Sequence, residues 1–477
     1  MLGGAKYLTR AHEYAFARAP PGSQRGLSLS LSRKPVKLNA GTAERMDVRT
    51  LRARGEELRN VGSSKIVILG GGFGGIYVAQ HLLSCCLPPK QWEVNLINCN
   101  PHFEFKPLLP DVLAGRLPPK CITTRLDSLW TSENYHVRVA VVTGVDLKKH
   151  IVKTTGGNVD YDYLVIALGA APGVVPADRG ARLFFCESLD DCLRLREHVL
   201  PLMATSTTKL PKRTDRKRRT IAVIGAGPTG IEVACELTHM LNGQGNRGET
   251  TGGRATADIV LIESSSHILS TWGRGLRKPA EDTLKHVGVR LLTGTTVKRI
   301  AKGVIRLNGG RILRADTVIW SGGLRGLPLY RSLGTPLDAD DRIRVMPTLR
   351  LPGHPNVFAL GDAVSTGAFS TPVPQSAQAA HQQAGLVADN IRNSIEERPL
   401  RTFHYRELGV VLPIGGRRAI ASIMGFTLNG HTAWVLEKAL FLARIPGLTN
   451  KLSLLDAVAL EPLADRGRRR LGWPQPA

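Results

Sequence analysis

The chain has 477 residues, 42% of them hydrophobic and 22% charged, which describes packed domains and excludes a wholly disordered protein. Lys plus Arg exceeds Asp plus Glu by 64 − 39 = +25, so nucleic acid and anionic membrane surfaces both come into consideration as partners. No uncharged apolar run reaches the roughly 18 residues of a transmembrane helix, and seven cysteines without metal-ligand or Cys-x-x-Cys spacing argue against a zinc site or a secreted disulfide framework.

Residues 1–43 carry Lys6, Arg10, Arg18, Arg25, Arg33, Lys34 and Lys37 against Glu13 alone, with a Ser-rich run from Gly26 to Ser32. That is the composition of an organelle transit peptide, with a disordered extension as the alternative, and residues 1–60 are set apart from the fold. The strand Lys65 to Leu69 then turns through Gly70-Gly71-Gly72-Phe73-Gly74-Gly75 into a helix from Gly75 to about Cys86, and Glu93 to Asn98 is the next strand. Strand, glycine loop, helix and strand have the length of a dinucleotide-binding unit.

Alternation continues at His136 to Val142 and Ile151 to Thr154, and the run Tyr161 to Ala170 reads as a buried strand ending at a glycine turn. The pattern then repeats with strand 220–224, the loop Gly225-Ala226-Gly227-Pro228-Thr229-Gly230, a helix from Gly230 to Leu241 and strand Ile259 to Glu263. The basic stretch Lys209 to Arg219 and the Gly/Thr/Arg-rich stretch Asn242 to Thr256 read as solvated loops. The first lacks interleaved aromatic residues, so nucleic acid is not expected as a partner. A strand-like run from Asn356 to Asp362 precedes a polar helix beginning near Pro374, returning the chain to its first unit. Short strands at Gly409 to Ile414 and Ala419 to Met424 and two helical stretches close the sequence.

The fold expected is α/β, with two Rossmann-like dinucleotide-binding domains, the second inserted in the first, plus a C-terminal membrane-associating region. The ranges are 1–60 leader, 61–200 and 336–400 for the first domain, 215–335 for the second, and 401–477 for the C-terminal region. Glycines in such loops let a backbone approach a pyrophosphate, and the following helix offers free amides and its positive dipole end. Gly70, Gly72, Phe73, Gly74 and Gly75 form one candidate site, and Gly225, Gly227, Thr229 and Gly230 the other. Glu263 closes the second strand of the second unit, where a carboxylate accepts from a ribose and repels a 2′-phosphate; an ordinary strand terminus is the alternative. NADH is thereby favoured, with NADPH as the second candidate. Asn98 occupies the matching place in the first unit, without the charge. Gly169 and the pair Gly361-Asp362 end strands where a flavin's ribityl chain and phosphate would lie, so FAD is the cofactor expected of the first unit.

In order along the chain, these motifs, with Phe105-Lys-Pro-Leu-Leu109, Gly-Pro-Thr-Gly-Ile-Glu232 and Ala377-Gln378-Ala-Ala380-His-Gln382, resemble type II NAD(P)H:quinone oxidoreductases over residues 63 to about 460. The resemblance implies a non-pumping, peripheral flavoprotein that passes electrons from NADH to a membrane quinone. It places Gln378 and Gln382, four apart on one helix face, at the quinone. Glu232 would lie near nicotinamide and flavin as a proton relay, or else stabilise the helix N-terminus; Lys106 would face the flavin edge or be a surface lysine. Relatives that reduce disulfides or oxidise sulfide are disfavoured, because Cys85 and Cys86 are adjacent at the far end of the first helix and no cysteine follows Cys235. A flavoprotein reductase of a soluble carrier and a redox sensor resembling apoptosis-inducing factor are the alternatives.

Val435, Leu436, Ala439, Leu440, Leu442 and Ala443 would share one broad helical face with Glu437 and Arg444 opposite, and Leu448, Leu452, Leu455 and Ala459 continue a stripe. Flanked by Lys438, Lys451, Arg466 and Arg468 to Arg470, this reads as an anchor on anionic lipid, with a dimer contact or core helix as the alternative. A homodimer bound peripherally to an organelle membrane, the mitochondrial inner membrane or a chloroplast membrane, is the expectation.

Overall fold

The computed structural model describes residues 63–84, 92–203, 219–243, 257–365, 373–423 and 425–458, with the single positions 367 and 369. The leader, the Cys85-Cys86 pair, most of both solvated loops, Ala459 and the Arg466 to Arg470 cluster lie outside them.

Two parallel sheets are built to one plan. In the first, β1 (Ser64–Leu69) leads into α1 (Phe73–Ser84) and is flanked by β2 (Trp92–Asn98), with β3 (Tyr135–Val139) at the edge and β4 (Tyr163–Ile166) on the other side. In the second, a two-residue strand β5 (Leu183–Phe184) and the helix α2 (Leu189–Met203) precede β6 (Arg219–Ile224), α3 (Pro228–Gly243), β7 (Ala257–Ile262), α4 (Arg274–Val287), β8 (Arg290–Leu292) and β9 (Thr317–Trp320). The chain then returns to the first sheet with β10 (Val357–Ala359) beside β4, so the orders are β10-β4-β1-β2-β3 and β5-β9-β6-β7-β8. Register is equivalent as well: Leu69 lies beside Ile97 and Ile224 beside Ile262.

The central strands are apolar without alternation because helices or loops cover both faces. Ile66, Val67, Ile68 and Leu69 are fully buried, as are Ile221, Ala222 and Val223; each large aliphatic side chain buried this way contributes about 1.5–3 kcal/mol. The helix α5 (Ala377–Ile395), capped by the Ser376 hydroxyl accepting from Ala379 N–H, packs along α1.

Each unit carries a three-stranded antiparallel excursion just before the parallel strand that pairs with β1 or β6 on its other side (β4 and β9), residues 142–160 in one and 297–314 in the other. The expected strand His136 to Val142 is therefore two: Tyr135–Val139 pairs in the parallel sheet and Val142–Asp146 leaves for the excursion. Ala170–Pro172 pairs antiparallel with Leu324–Gly326, a ribbon that joins the two units.

After α5, β11 (Val410–Pro413), β12 (Ala419–Ile423) and β13 (Phe426–Gly430) form a meander, followed by α6 (His431–Arg444) and a helical segment over 448–458. The third meander strand is mostly exposed, and its alternating Phe426 and Leu428 both stand in the open. Among the described residues no helix is long and apolar enough to cross a membrane.

Candidate functional site

At the end of β1, Gly70 turns with φ +102°, its N–H donates to Ile97 O at 2.8 Å, and the next amide, Gly71 N–H, donates to Asn98 Oδ1 at 2.9 Å. The second unit repeats this atom for atom: Gly225 has φ +100°, its N–H donates to Ile262 O at 2.8 Å, and Ala226 N–H donates to Glu263 Oε2 at 2.7 Å. A side chain on Gly75 or Gly230 would overlap the carbonyl oxygen of Gly70 or Gly225, so these glycines serve close packing of helix on loop. Gly72 and Gly227 are different. A Cβ on either would meet nothing within 4 Å, and both line one continuous cavity of about 2060 Å³ that reaches both loops. Space over bare amides at the start of a helix is what an anionic pyrophosphate requires.

Asn98 and Glu263 therefore do two jobs. Asn98 uses its carbonyl on Gly71 and donates through Nδ2 to Asn100 O at 2.9 Å. Glu263 accepts from Ala226 N–H and, through Oε1, from Ser265 N–H at 2.8 Å, while still lining the cavity. Phe73 and Thr229 stand in the first turns of α1 and α3 on the same wall.

Gly169 (φ +75°) and Gly361 (φ +70°) turn the chain at the far ends of β4 and β10. The Gly169 carbonyl accepts from Tyr330 Oη at 2.7 Å. The Gly361 N–H donates to Oε1 of Gln383 at 2.7 Å. Gln383 is a buried residue that spacing did not single out, because its role depends on a turn 22 positions away. Burial pushes the Asp362 carboxyl up, against the pull of Lys106 and then Arg342. Glu187 is likewise pushed up by burial and pulled down by Lys106. Lys106 is itself exposed, lines the cavity and exerts its charge on both of these carboxyls.

The two glutamines do share a face of α5, but it meets the strap 405–409. Gln378 accepts from Tyr405 Oη at 2.8 Å and Leu408 N–H at 3.2 Å, donates to Gly409 O at 3.2 Å, and lines the cavity. Gln382 donates to Arg406 O at 2.7 Å, accepts from Arg406 N–H at 3.0 Å, and does not line the cavity. Its carboxamide is consumed in holding the strap.

Behind the cavity wall lies a buried ion network. Arg116 forks onto both carboxylate oxygens of Glu236 and donates from Nε to Asp111 Oδ1 at 3.0 Å, while Lys438 Nζ donates to Asp111 Oδ2 at 2.7 Å and to Glu437 Oε1 at 3.0 Å. Two expectations for α6 are overturned here. Glu437, expected opposite the apolar stripe, is 0% exposed, and Lys438, expected among the lipid-facing cations, is 7% exposed. Helical periodicity located the stripe and the charges; it could not say which side meets protein, because the partners sit more than 300 residues away.

Glu232, two residues beyond Gly230, faces the cavity from this network. Burial pushes its carboxyl up to about 8, helped by the charges of Glu437, Asp111 and Glu236 and opposed by Lys438. Such surroundings favour the protonated form of this carboxyl relative to an exposed one.

The chain matches the family described as pyridine nucleotide-disulphide oxidoreductase over residues 64–384. It is 30% identical over 462 residues to an Arabidopsis thaliana protein named alternative NAD(P)H-ubiquinone oxidoreductase C1, chloroplastic/mitochondrial, covering 88% of this chain and 84% of that protein. It is 29% identical over 420 residues to a type II NADH:quinone oxidoreductase of Mycobacterium tuberculosis, covering 82% and 86%. Its fold is similar to that of NDH2 from Plasmodium falciparum, solved with NADH, at a TM-score of 0.72 and 19% identity over 84% of this chain and 98% of that one.

Proposed function

The chain belongs to the pyridine nucleotide-disulphide oxidoreductase family and, within it, to the type II NADH:quinone oxidoreductases, and from that membership we propose how its residues divide the work. It is an FAD-dependent enzyme that passes electrons from NADH to quinone without pumping protons. The observation that carries the residue assignment is the single cavity onto which both open phosphate loops face.

FAD is assigned to the unit of residues 61–200 and 336–400. Gly70 to Gly75 and Asn98 would take its pyrophosphate and ribose, and Gly169, Gly361 and Asp362 its ribityl and ring end; the empty space above Gly72 supports the fit. NADH is assigned to 215–335, with Gly225, Gly227, Thr229 and Gly230 at the pyrophosphate and Glu263 at the ribose. When bound, the flavin supplies the two-electron relay between nicotinamide and quinone.

This chain's residues supply position and protons. NADH, one proton and quinone give NAD⁺ and quinol, so a proton must be delivered from the protein side. Glu232 holds one at the cavity wall, and we assign it that delivery. Gln378, with the Tyr405 hydroxyl bonded to it, is assigned to the quinone carbonyl, and Lys106 to the negative charge that accumulates on reduction.

Docking on a membrane surface is supported by the outer side of the C-terminal region, where Val435 is 49%, Leu448 73%, Leu452 57% and Leu455 52% exposed. An organelle membrane is supported by the basic leader composition and by the Arabidopsis relative's name. A homodimer is the assembly proposed, supported by Phe426, 76% exposed on the edge strand of the C-terminal meander.

The test is a steady-state assay of purified, flavin-loaded protein with NADH or NADPH and a short-chain quinone. Quinone-dependent oxidation of NADH is expected. Its absence, with flavin bound, overturns the reading.

A further inference from the structure

The strap over residues 405–409 has no strand or helix of its own, and its backbone is met by two side chains of α5. Gln382 takes both backbone groups of Arg406, donating to the carbonyl at 2.7 Å and accepting from the N–H at 3.0 Å. Gln378, one turn earlier on the same face, accepts from Leu408 N–H and donates to Gly409 O, each at 3.2 Å. The two carboxamides do for this segment what a neighbouring strand does in a sheet. Tyr405, Glu407, Leu408 and Gly409 line the cavity, whereas Arg406 and Gln382 do not, so the clasp at Arg406 holds a piece of cavity wall without being part of it.

The same bonds decide which end of Gln378 is left free. A backbone N–H only donates and a carbonyl only accepts, so Leu408 and Gly409 together set the carboxamide with Oε1 toward the one and Nε2 toward the other. Oε1 also accepts from Tyr405 Oη at 2.8 Å, which occupies its second lone pair. Gly409 engages one of the Nε2 hydrogens, and the other is the capacity that the carboxamide retains. A donor is what a quinone carbonyl requires. Released from the strap, the carboxamide could turn over and offer its oxygen, which repels that carbonyl.

On the quinone-reductase reading above, we propose that Gln382 is a positioning residue for quinone. It does not touch the substrate; by clasping Arg406 it holds the strap on α5, and the strap holds Gln378 with an N–H for the quinone carbonyl.

The test uses flavin-loaded, full-length protein carrying Gln382→Met or Gln382→Ala, both of which delete the clasp on a helix that accepts either residue. Flavin content and melting temperature report that each variant is folded. The first readout needs no quinone. Arg406 is exposed, and trypsin cleavage after it requires the strap to leave α5. With both bonds of the clasp gone, the new terminus after Arg406 is expected to appear about tenfold faster. An unchanged rate overturns the clasp. The second readout is steady-state turnover with a short-chain quinone. The KM for quinone is expected to rise about tenfold, with the KM for NADH and the rate of flavin reduction by NADH unchanged. A loss that falls equally on the NADH half-reaction is that of a damaged fold and counts against the proposal. The third readout is a double-mutant cycle. In Gln378→Met no carboxamide is left to orient, so adding Gln382→Met is expected to change kcat/KM for quinone by less than about twofold. Factors that multiply instead would make Gln382 an independent quinone contact and overturn the proposal. If the unmodified protein shows no quinone-dependent oxidation of NADH, the quinone-reductase reading fails, while the trypsin result still decides the clasp.

Discussion

Gly72 and Gly75 look alike in sequence and separate only by what a Cβ would meet. A methyl on Gly75 overlaps the Gly70 carbonyl oxygen, whereas one on Gly72 meets no protein atom. Gly75→Ala is therefore expected to lower the melting temperature and lose flavin together. Gly72→Ala should keep the melting temperature of the flavin-free protein and lose flavin alone, measured by thermal unfolding and by flavin absorbance per protein. Equal thermal loss in both variants would contradict the reading of Gly72 as a ligand approach. Glu263 makes a similar distinction between holding a loop and choosing a nucleotide. Glu263→Gln removes the charge and keeps one carbonyl acceptor, which can serve Ala226 N–H or Ser265 N–H but not both. The kcat/KM preference for NADH over NADPH should fall about tenfold, the scale of one partly solvated like-charge contact, with flavin content unchanged; loss of flavin would reverse the assignment of the two loops.

Among the elements, α6 teaches most. Its apolar stripe was legible from periodicity, yet the buried face is Ala433, Trp434, Glu437 and Lys438, because Asp111, Arg116 and Glu236 form an ionic socket for the two charged side chains. Arg116 is the hub of that socket, and removing one member of a buried ion group leaves its partners uncompensated. Arg116→Ala is expected to cost about 3–5 kcal/mol of unfolding free energy, read from denaturant unfolding of the full chain. A loss under about 1 kcal/mol, as for exposed pairs, would show the socket to be solvated. The strands and loops of both nucleotide units were legible because each is a local pattern of period two or of glycine spacing. The contact of Gln382 was not legible for the opposite reason: its partner is the backbone of Arg406, a residue with no signature of its own.

For the molecule as a whole, Val435 of α6 and Leu448, Leu452 and Leu455 of the following helical segment lie on the outside. Full-length protein is expected to bind vesicles containing anionic lipid and to lose most of that binding in Leu448→Asp/Leu452→Asp, with soluble NADH:quinone turnover retained. Co-sedimentation at low and high salt measures this, and salt should weaken the electrostatic part. Unchanged sedimentation of the double variant would instead favour a contact between copies of the chain on this surface.

By itself the sequence determined the two glycine loops, the strand-helix units that carry them, the acidic residue closing the second strand of the second unit and the presence of an amphipathic C-terminal helix. Each of these is encoded within about 40 residues. The tertiary structure alone decided that both loops open into one cavity, that Gln378 rather than Gln382 reaches it, and that Glu437 and Lys438 are buried behind Glu232. Those facts depend on contacts between residues far apart in the chain, where burial and uncompensated charge, not local periodicity, choose which side of a helix faces in.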